Sequence, residues 1–187
     1  MVAFGPKQAW LAIQGRPHGP VAAALGLRDL GTVDWRSGVD LAYLTDDRLA
    51  LTPALPGARG AAWTLVAGRW LLANASTVDI VALSTELRTE VQAFSTYRYG
   101  EQHRWQRAVD GVLVRAFGYA GTDGEITMWF GDPDDTELAV GLPQVPDEEY
   151  QPLIGEADVM RVAAAWSVDP TTLGGRAAPG PLHTLAP

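Results

Sequence analysis

The 187-residue sequence contains no cysteine, and Lys7 is the single lysine among its 14 basic residues. Without cysteine there are no disulfides, thiolate zinc sites, iron–sulfur clusters or cysteine nucleophile, which fits a reducing, cytoplasmic setting. Basic charge is scarce as well, since 22 Asp and Glu leave a formal net charge of -8. Phosphate-backbone binding relies on clustered Lys and Arg that release counterions, so nucleic acid is not an expected partner. An anionic membrane surface is disfavoured for the same reason. Long apolar runs are missing too: the stretch from Leu65 to Ala75 is interrupted by Gly68, Arg69 and Asn74, far short of the ~20 apolar residues that span a bilayer. Residues Met1 to Gln14 carry no basic segment followed by a sustained apolar run, so no leader is expected.

Catalytic signatures are equally sparse. The chain has no GxSxG elbow, no Walker loop, no GxGxxG after a strand and no HExxH. Asp132 to Glu137 has the look of a calcium loop but lacks its central glycine, and Pro143 stands where the bidentate glutamate would fall. His18, His103 and His183 are too dispersed for local metal-ligand spacing. Neither a metal nor a cofactor is expected.

What the chain does contain is a set of regular elements. Ala9 to Gln14 reads as a strand, a short helix follows from Pro20, and Leu30 to Asp47 reads as a long loop with an extended piece at Leu41 to Leu44. Arg48 to Thr52 and Ala62 to Leu72 read as strands. A helix is expected from a capping box at Ser76, with Ile80, Leu83, Leu87 and Val91 on one face. Four extended runs follow, at Phe94 to Tyr99, His103 to Val109, Val112 to Tyr119 and Glu125 to Phe130. Asp110-Gly111 is a strong hairpin signal between the middle two. A short helical piece at Thr136 to Val140 and a helix at Glu156 to Trp166 complete the set. Strands concentrated at the centre, with helices around them, indicate a single α+β domain over residues 1–173 built on an antiparallel meander at about 90–131. The Gly/Pro-rich residues 174–187 are expected to form a mobile tail.

Two candidate surfaces emerge. Alternation along the meander places His103, Trp105 and Arg107 on one face and aligns Arg115 with Leu113, Phe117 and Tyr119. With Arg98 this makes an aromatic, Arg-rich sheet face (Arg98, His103, Trp105, Arg107, Arg115, Tyr119) suited to a carboxylate or another small anionic ligand, because guanidinium groups bind such ligands bidentately and stack on rings. The competing reading is that the aromatics are core and the arginines pair with Glu90, Glu101 or Asp110. The second surface is acidic: eleven carboxylates and no basic residue lie between Asp123 and Asp158. Asp134, Asp135, Glu137, Asp147, Glu148 and Glu149 are its candidates for steering a basic protein partner; plain solvation is the alternative. A Ser95, His103, Asp110 triad and an Asp123, Glu125 carboxylate pair are weaker constellations.

The stretch Tyr97 to Gly131, with Arg98, Trp105, Gly111, Val114-Arg115, Tyr119 and Gly124-Glu125, together with Asp158 to Ala163 and Trp166 to Pro170, resembles a group of small acidic bacterial proteins common in actinobacteria. The resemblance implies no defined activity. The missing catalytic signatures and the acidic segment make a non-catalytic cytosolic binding protein of immunity or accessory type the leading expectation, in keeping with the similar small acidic proteins that often accompany polymorphic toxins as immunity proteins. A small-molecule binder or small biosynthetic enzyme using the Arg/aromatic face is the alternative.

Overall fold

A computed structural model describes residues 1–74, 78–122, 124–146 and 153–187. Its centre is a ten-stranded sheet with every pair antiparallel: β1 (Ala9–Gln14), β2 (Arg28–Val33), β3 (Leu49–Leu51), β4 (Leu55–Pro56), β5 (Ala62–Ala67), β6 (Glu90–Tyr97), β7 (Gln102–Val109), β8 (Val112–Ala120), β9 (Glu125–Phe130) and β10 (Leu182–Ala186). The spatial order is β2-β10-β3-β5-β1-β6-β7-β8-β9, with β4 paired to β5 off this path. Helices cover both faces. On one side lie α1 (His18–Ala24), α3 (Arg69–Ala73) and α4 (Ile80–Leu87), which bury Val21, Leu71, Ile80, Leu83 and Leu87 against Leu11, Ile13, Val66 and Val91. On the other lie α2 (Trp35–Leu44), α5 (Asp135–Ala139) and α6 (Glu156–Trp166), packed on a larger cluster that includes Trp10, Trp63, Phe94, Trp105 and Phe117. This is an α+β fold with two cores, one under each helix layer.

Local chemistry accounts for most element boundaries. The β7–β8 turn is the Asp-Gly pair, whose residues both have positive φ (46° at Asp110, 85° at Gly111), the geometry that matches the twist of flanking strands. Asp79 caps α4 by accepting from the backbone N–H groups of Val81 and Ala82. The cap therefore falls after the expected Ser76, which lies outside the described residues. The expected strand Ala62 to Leu72 divides at Gly68 into β5 and α3.

Three expectations are overturned. Leu30 to Asp47 is no loop: β2 and α2 occupy most of it, with the Asp34 carboxylate accepting from Ser37 N–H at 3.0 Å to start the helix. Gly38 sits within α2 where a Cβ would come within 2.7 Å of Leu182 on β10; the missing side chain lets the helix lie against the sheet. Residues 174–187 are not a free tail either, since β10 pairs with both β2 and β3 and buries Leu182 and Leu185. A register shift between Arg107 and Ala108 then sets Leu113 opposite Ala108 and turns both toward the α1/α3/α4 face, so Leu113 does not share a face with Arg115.

Candidate functional site: the His103 cleft

On the face covered by α5 and α6, antiparallel register aligns side chains in rows across the strands. The middle row is aromatic. Trp10, Phe94, Trp105, Phe117 and Trp129 are successive partners from β1 to β9. Ring centroids are 5.2 Å apart for Trp10 and Phe94, 4.4 Å for Trp105 and Phe117, and 6.0 Å for Phe117 and Trp129. These rings are core rather than a stacking platform for a ligand.

The next row, Ala12, Gln92, Arg107 and Arg115, pairs its charges internally, although Gln92 Oε1 and Arg115 Nη2 are buried without a hydrogen-bond partner among the described residues. Arg115, 2% exposed, donates from Nε to Glu137 Oε1 at 2.8 Å and from Nη1 to the carbonyls of Phe130 and Gly131 at 2.9 and 3.0 Å. Its guanidinium also lies 4.3 Å from the Trp129 ring centroid. Glu137 is fully buried; it accepts from Trp105 Nε1 at 2.6 Å and from Asp134 N–H at 3.0 Å. Arg107 holds Glu90 through Nε at 2.7 Å, while Arg59 and Gln92 donate to the same Glu90 oxygen at 2.8 and 2.6 Å. Burial, the largest influence on Glu90, pushes its carboxyl up, but the hydrogen bonds from Arg59, Gln92 and Arg107 outweigh it and hold the group below the usual range.

Much of the expected acidic surface is therefore internal wiring. Glu137 is the buried counter-ion of Arg115. The Asp134 carboxylate caps α5 through the N–H groups of Thr136 and Glu137 and accepts from Trp166 Nε1 at 2.6 Å. Asp135 is exposed, and Asp147, Glu148 and Glu149 lie outside the described residues. The triad is not assembled: Ser95 pairs with Arg104 in the register and faces away from His103, which pairs with Thr96. Asp123 lies outside the described residues, and Glu125 is exposed at the start of β9.

The row on the other side of the aromatics meets a cleft, at His103 and Tyr119. Thr96, His103 and Tyr119 are partners across β6, β7 and β8, and Gln8 joins them through its carbonyl, which accepts from Thr96 N–H at 2.9 Å. All four side chains are buried. Both amide atoms of Gln8 and Nδ1 of His103 have no hydrogen-bond partner among the described residues. Each such group costs about 1–3 kcal/mol if left unpaired, which is tolerated more readily at a binding site than in a core. Above this row the first turn of α6 brings Glu156, which accepts from Lys7 N–H at 3.2 Å, Thr96 Oγ1 at 3.3 Å and Arg98 Nη2 at 3.2 Å. Asp158 holds the start of the helix by accepting from Gly155 N–H at 2.9 Å.

The cleft has a volume of about 420 Å³ and is lined by Arg98, Glu101, His103, Tyr119, Glu156 and Asp158, with Leu153 and Ile154 at its apolar side. Among the described lining residues, three carboxylates outnumber one guanidinium. Burial pushes His103 down from its ordinary value, against the pull of Glu156, Asp158 and Glu101, so the imidazole favours its neutral form. A second groove, of about 380 Å³ at Gln102, Arg104 and Met128, offers one charged group and no carboxylate.

Of the six residues expected to bind a ligand, the structure brings Arg98, His103 and Tyr119 to this cleft, buries Trp105 and Arg115, and pairs the partly exposed Arg107 with Glu90. Sequence reasoning missed Gln8, Thr96, Glu101, Glu156 and Asp158 as parts of one site. The signal available for the last two was their position at the start of an amphipathic helix. Compared with protein-family models, with curated proteins and with solved structures, the chain matches none. Among the described residues no helix is long and apolar enough to cross a membrane.

Proposed function

We propose that the protein is a binding protein whose His103 cleft receives a cationic group, an amine or guanidinium. The observation that carries this reading is a cleft lined by His103, whose imidazole favours its neutral form, and by the carboxylates of Glu101, Glu156 and Asp158, against the single guanidinium of Arg98 among the described lining residues. A neutral imidazole carries no charge to repel an ammonium and has one nitrogen able to accept a hydrogen bond, and the carboxylates around it supply the attraction. The anionic ligand suggested by the arginines has less support, because Arg107 and Arg115 are spent on Glu90 and Glu137 and Arg98 already faces Glu156.

The test is a titration followed by the ring resonances of His103, with agmatine and putrescine as cationic probes and acetate as the anionic one. Saturable shifts with the amines, weakened about tenfold by Glu156→Gln, are expected for a charge-assisted contact. Saturation by acetate alone would reverse the sign of the site.

A protein partner is the second reading, of the immunity or accessory type. It is favoured by Leu153, which lines the cleft and is 91% exposed. A partner would then seat a Lys or Arg side chain in the cleft inside an apolar collar. Retention of a host protein that free agmatine displaces, with no tight binding of agmatine by itself, distinguishes this form.

A further inference from the structure

The two histidines that the sequence leaves furthest apart are brought together at the opposite edge of the sheet. His18 opens α1, Asp29 lies in β2 and His183 lies in β10. The imidazoles of His18 and His183 stack with centroids 3.9 Å apart and planes at 17°, and His183 Nδ1 is 2.9 Å from Asp29 Oδ2. One donor atom from each of the three residues falls within 4.8 Å of the others. A register shift in the β2–β10 pairing, with Gly31 at φ 103°, forms a bulge beside Asp29. There the Gly31 N–H donates to Asp29 Oδ1 at 2.8 Å and leaves Oδ2 turned to His183. Bulges commonly re-aim a side chain in this way, and a backbone donor on the far oxygen is how ligating carboxylates are oriented.

We infer that His18, Asp29 and His183 form a binding site for a divalent transition-metal ion of the zinc class, pinning the C-terminal strand to β2 and to the start of α1. Two imidazole nitrogens and one carboxylate oxygen suit Zn²⁺ and its neighbours Co²⁺ and Ni²⁺, and are wrong for Mg²⁺ or Ca²⁺, which take oxygen donors. At metal–ligand bonds of about 2.1 Å, tetrahedral donors sit roughly 3.4 Å apart. The 2.9 Å His183–Asp29 separation opens to this as the ion replaces the proton shared between them, and the spacings of up to 4.8 Å close by a rotation of His18, which must leave the stack so that its lone pair points at the ion. His18 is exposed and free to make that rotation. Water completes the fourth position. The site is independent of the His103 cleft, which lies toward the other end of the strand order.

The experiment uses the full, untagged chain stripped of metal and titrated with ZnCl₂ by calorimetry, with CoCl₂ absorption reporting geometry. One equivalent of Zn²⁺ should bind, Co²⁺ should give the intense visible bands of a tetrahedral site, and MgCl₂ should give no heat. At a hundredfold excess over Kd, Zn²⁺ should raise Tm by roughly 5–10 °C. His18→Ala, whose side chain is exposed and whose fold should persist, and Asp29→Asn should each weaken Zn²⁺ at least tenfold, whereas His103→Gln should leave it unchanged. No saturable Zn²⁺ binding, or equal binding by His18→Ala, would overturn the inference and leave a stacked histidine pair hydrogen-bonded to Asp29.

Discussion

Two rows of the same sheet face, separated only by the aromatic ladder, use similar residues to opposite ends. In the Gln92, Arg107, Arg115 row every cation meets a carboxylate supplied from the same face: Arg115 meets Glu137, and Arg107 meets Glu90. In the Gln8, Thr96, His103, Tyr119 row the buried amide and imidazole nitrogen are left without partners, and the carboxylates stand around a cleft. The difference lies in what the covering segments bring. At the first row, α5 and the loop before it deliver Glu137 and Asp134 directly into the layer; at the second, α6 begins with Glu156 and Asp158 at the rim. A charged aromatic sheet face is thus a core where its carboxylates are buried against the arginines and a cleft where the carboxylates stand at the rim.

The largest test of that contrast is Glu137→Ala. It strips the acceptor from Arg115, Trp105 Nε1 and Asp134 N–H together and should destabilise the protein by about 3–5 kcal/mol in urea unfolding, the usual cost of orphaning a buried ion-pair partner. If the loss is under 1 kcal/mol, the row is not the internal network described. Next comes Glu90→Gln, expected to cost about 2 kcal/mol at neutral pH, since hydrogen bonds to a charged group are worth about 1.5–3 kcal/mol.

The pH dependence of that second variant sharpens the point. The folded-state pKa of Glu90 is depressed below 4.5, so its contribution is fully present above that value and is lost as pH falls through the folded pKa. Glu90→Gln should therefore flatten the acid limb of the stability curve. His103 titrates in the other window. Its folded pKa also lies below the ordinary 6.5, but for a base this means that the unfolded chain takes up its proton first as the pH drops. Stability from the neutral imidazole is complete above 6.5 and declines as pH falls from there toward the folded value. His103→Gln should remove that slope with little loss at pH 8, the smallest of the three stability effects. Agmatine affinity should fall over the same window, because protonation turns an acceptor into a competing cation; an affinity flat from pH 8 to 5 would remove His103 from the site.

Legibility in the sequence followed the range of the contacts. The meander and α6 were readable because their determinants are neighbours in the chain: alternation in β6 to β9, Asp110-Gly111 at the turn, and Val159, Val162, Ala163 and Trp166 at helical spacing. The β2-β10-β3 edge was not readable. Leu182 to Ala186 is a strand only because Leu49–Leu51 and Arg28–Val33 lie on either side of it, and α2 is a helix with a glycine in it only because Leu182 lies beneath. For the site, His103, Tyr119 and Arg98 could be drawn from alternation and composition. Their separation from Trp105 and Arg115 could not, since it depends on where α5 and α6 land.

The sequence by itself determined an acidic, cysteine-free α+β chain with a central antiparallel sheet, one face of which is rich in Arg and aromatic rings, because composition and short-range periodicity carry that information directly. The tertiary structure alone decided which arginines are neutralised, which histidine is left unpaired and which residues from opposite ends of the chain meet. Those outcomes are set by helix coverage and non-local strand pairing, and a charge's chemistry depends on the partners and solvent it finally has around it.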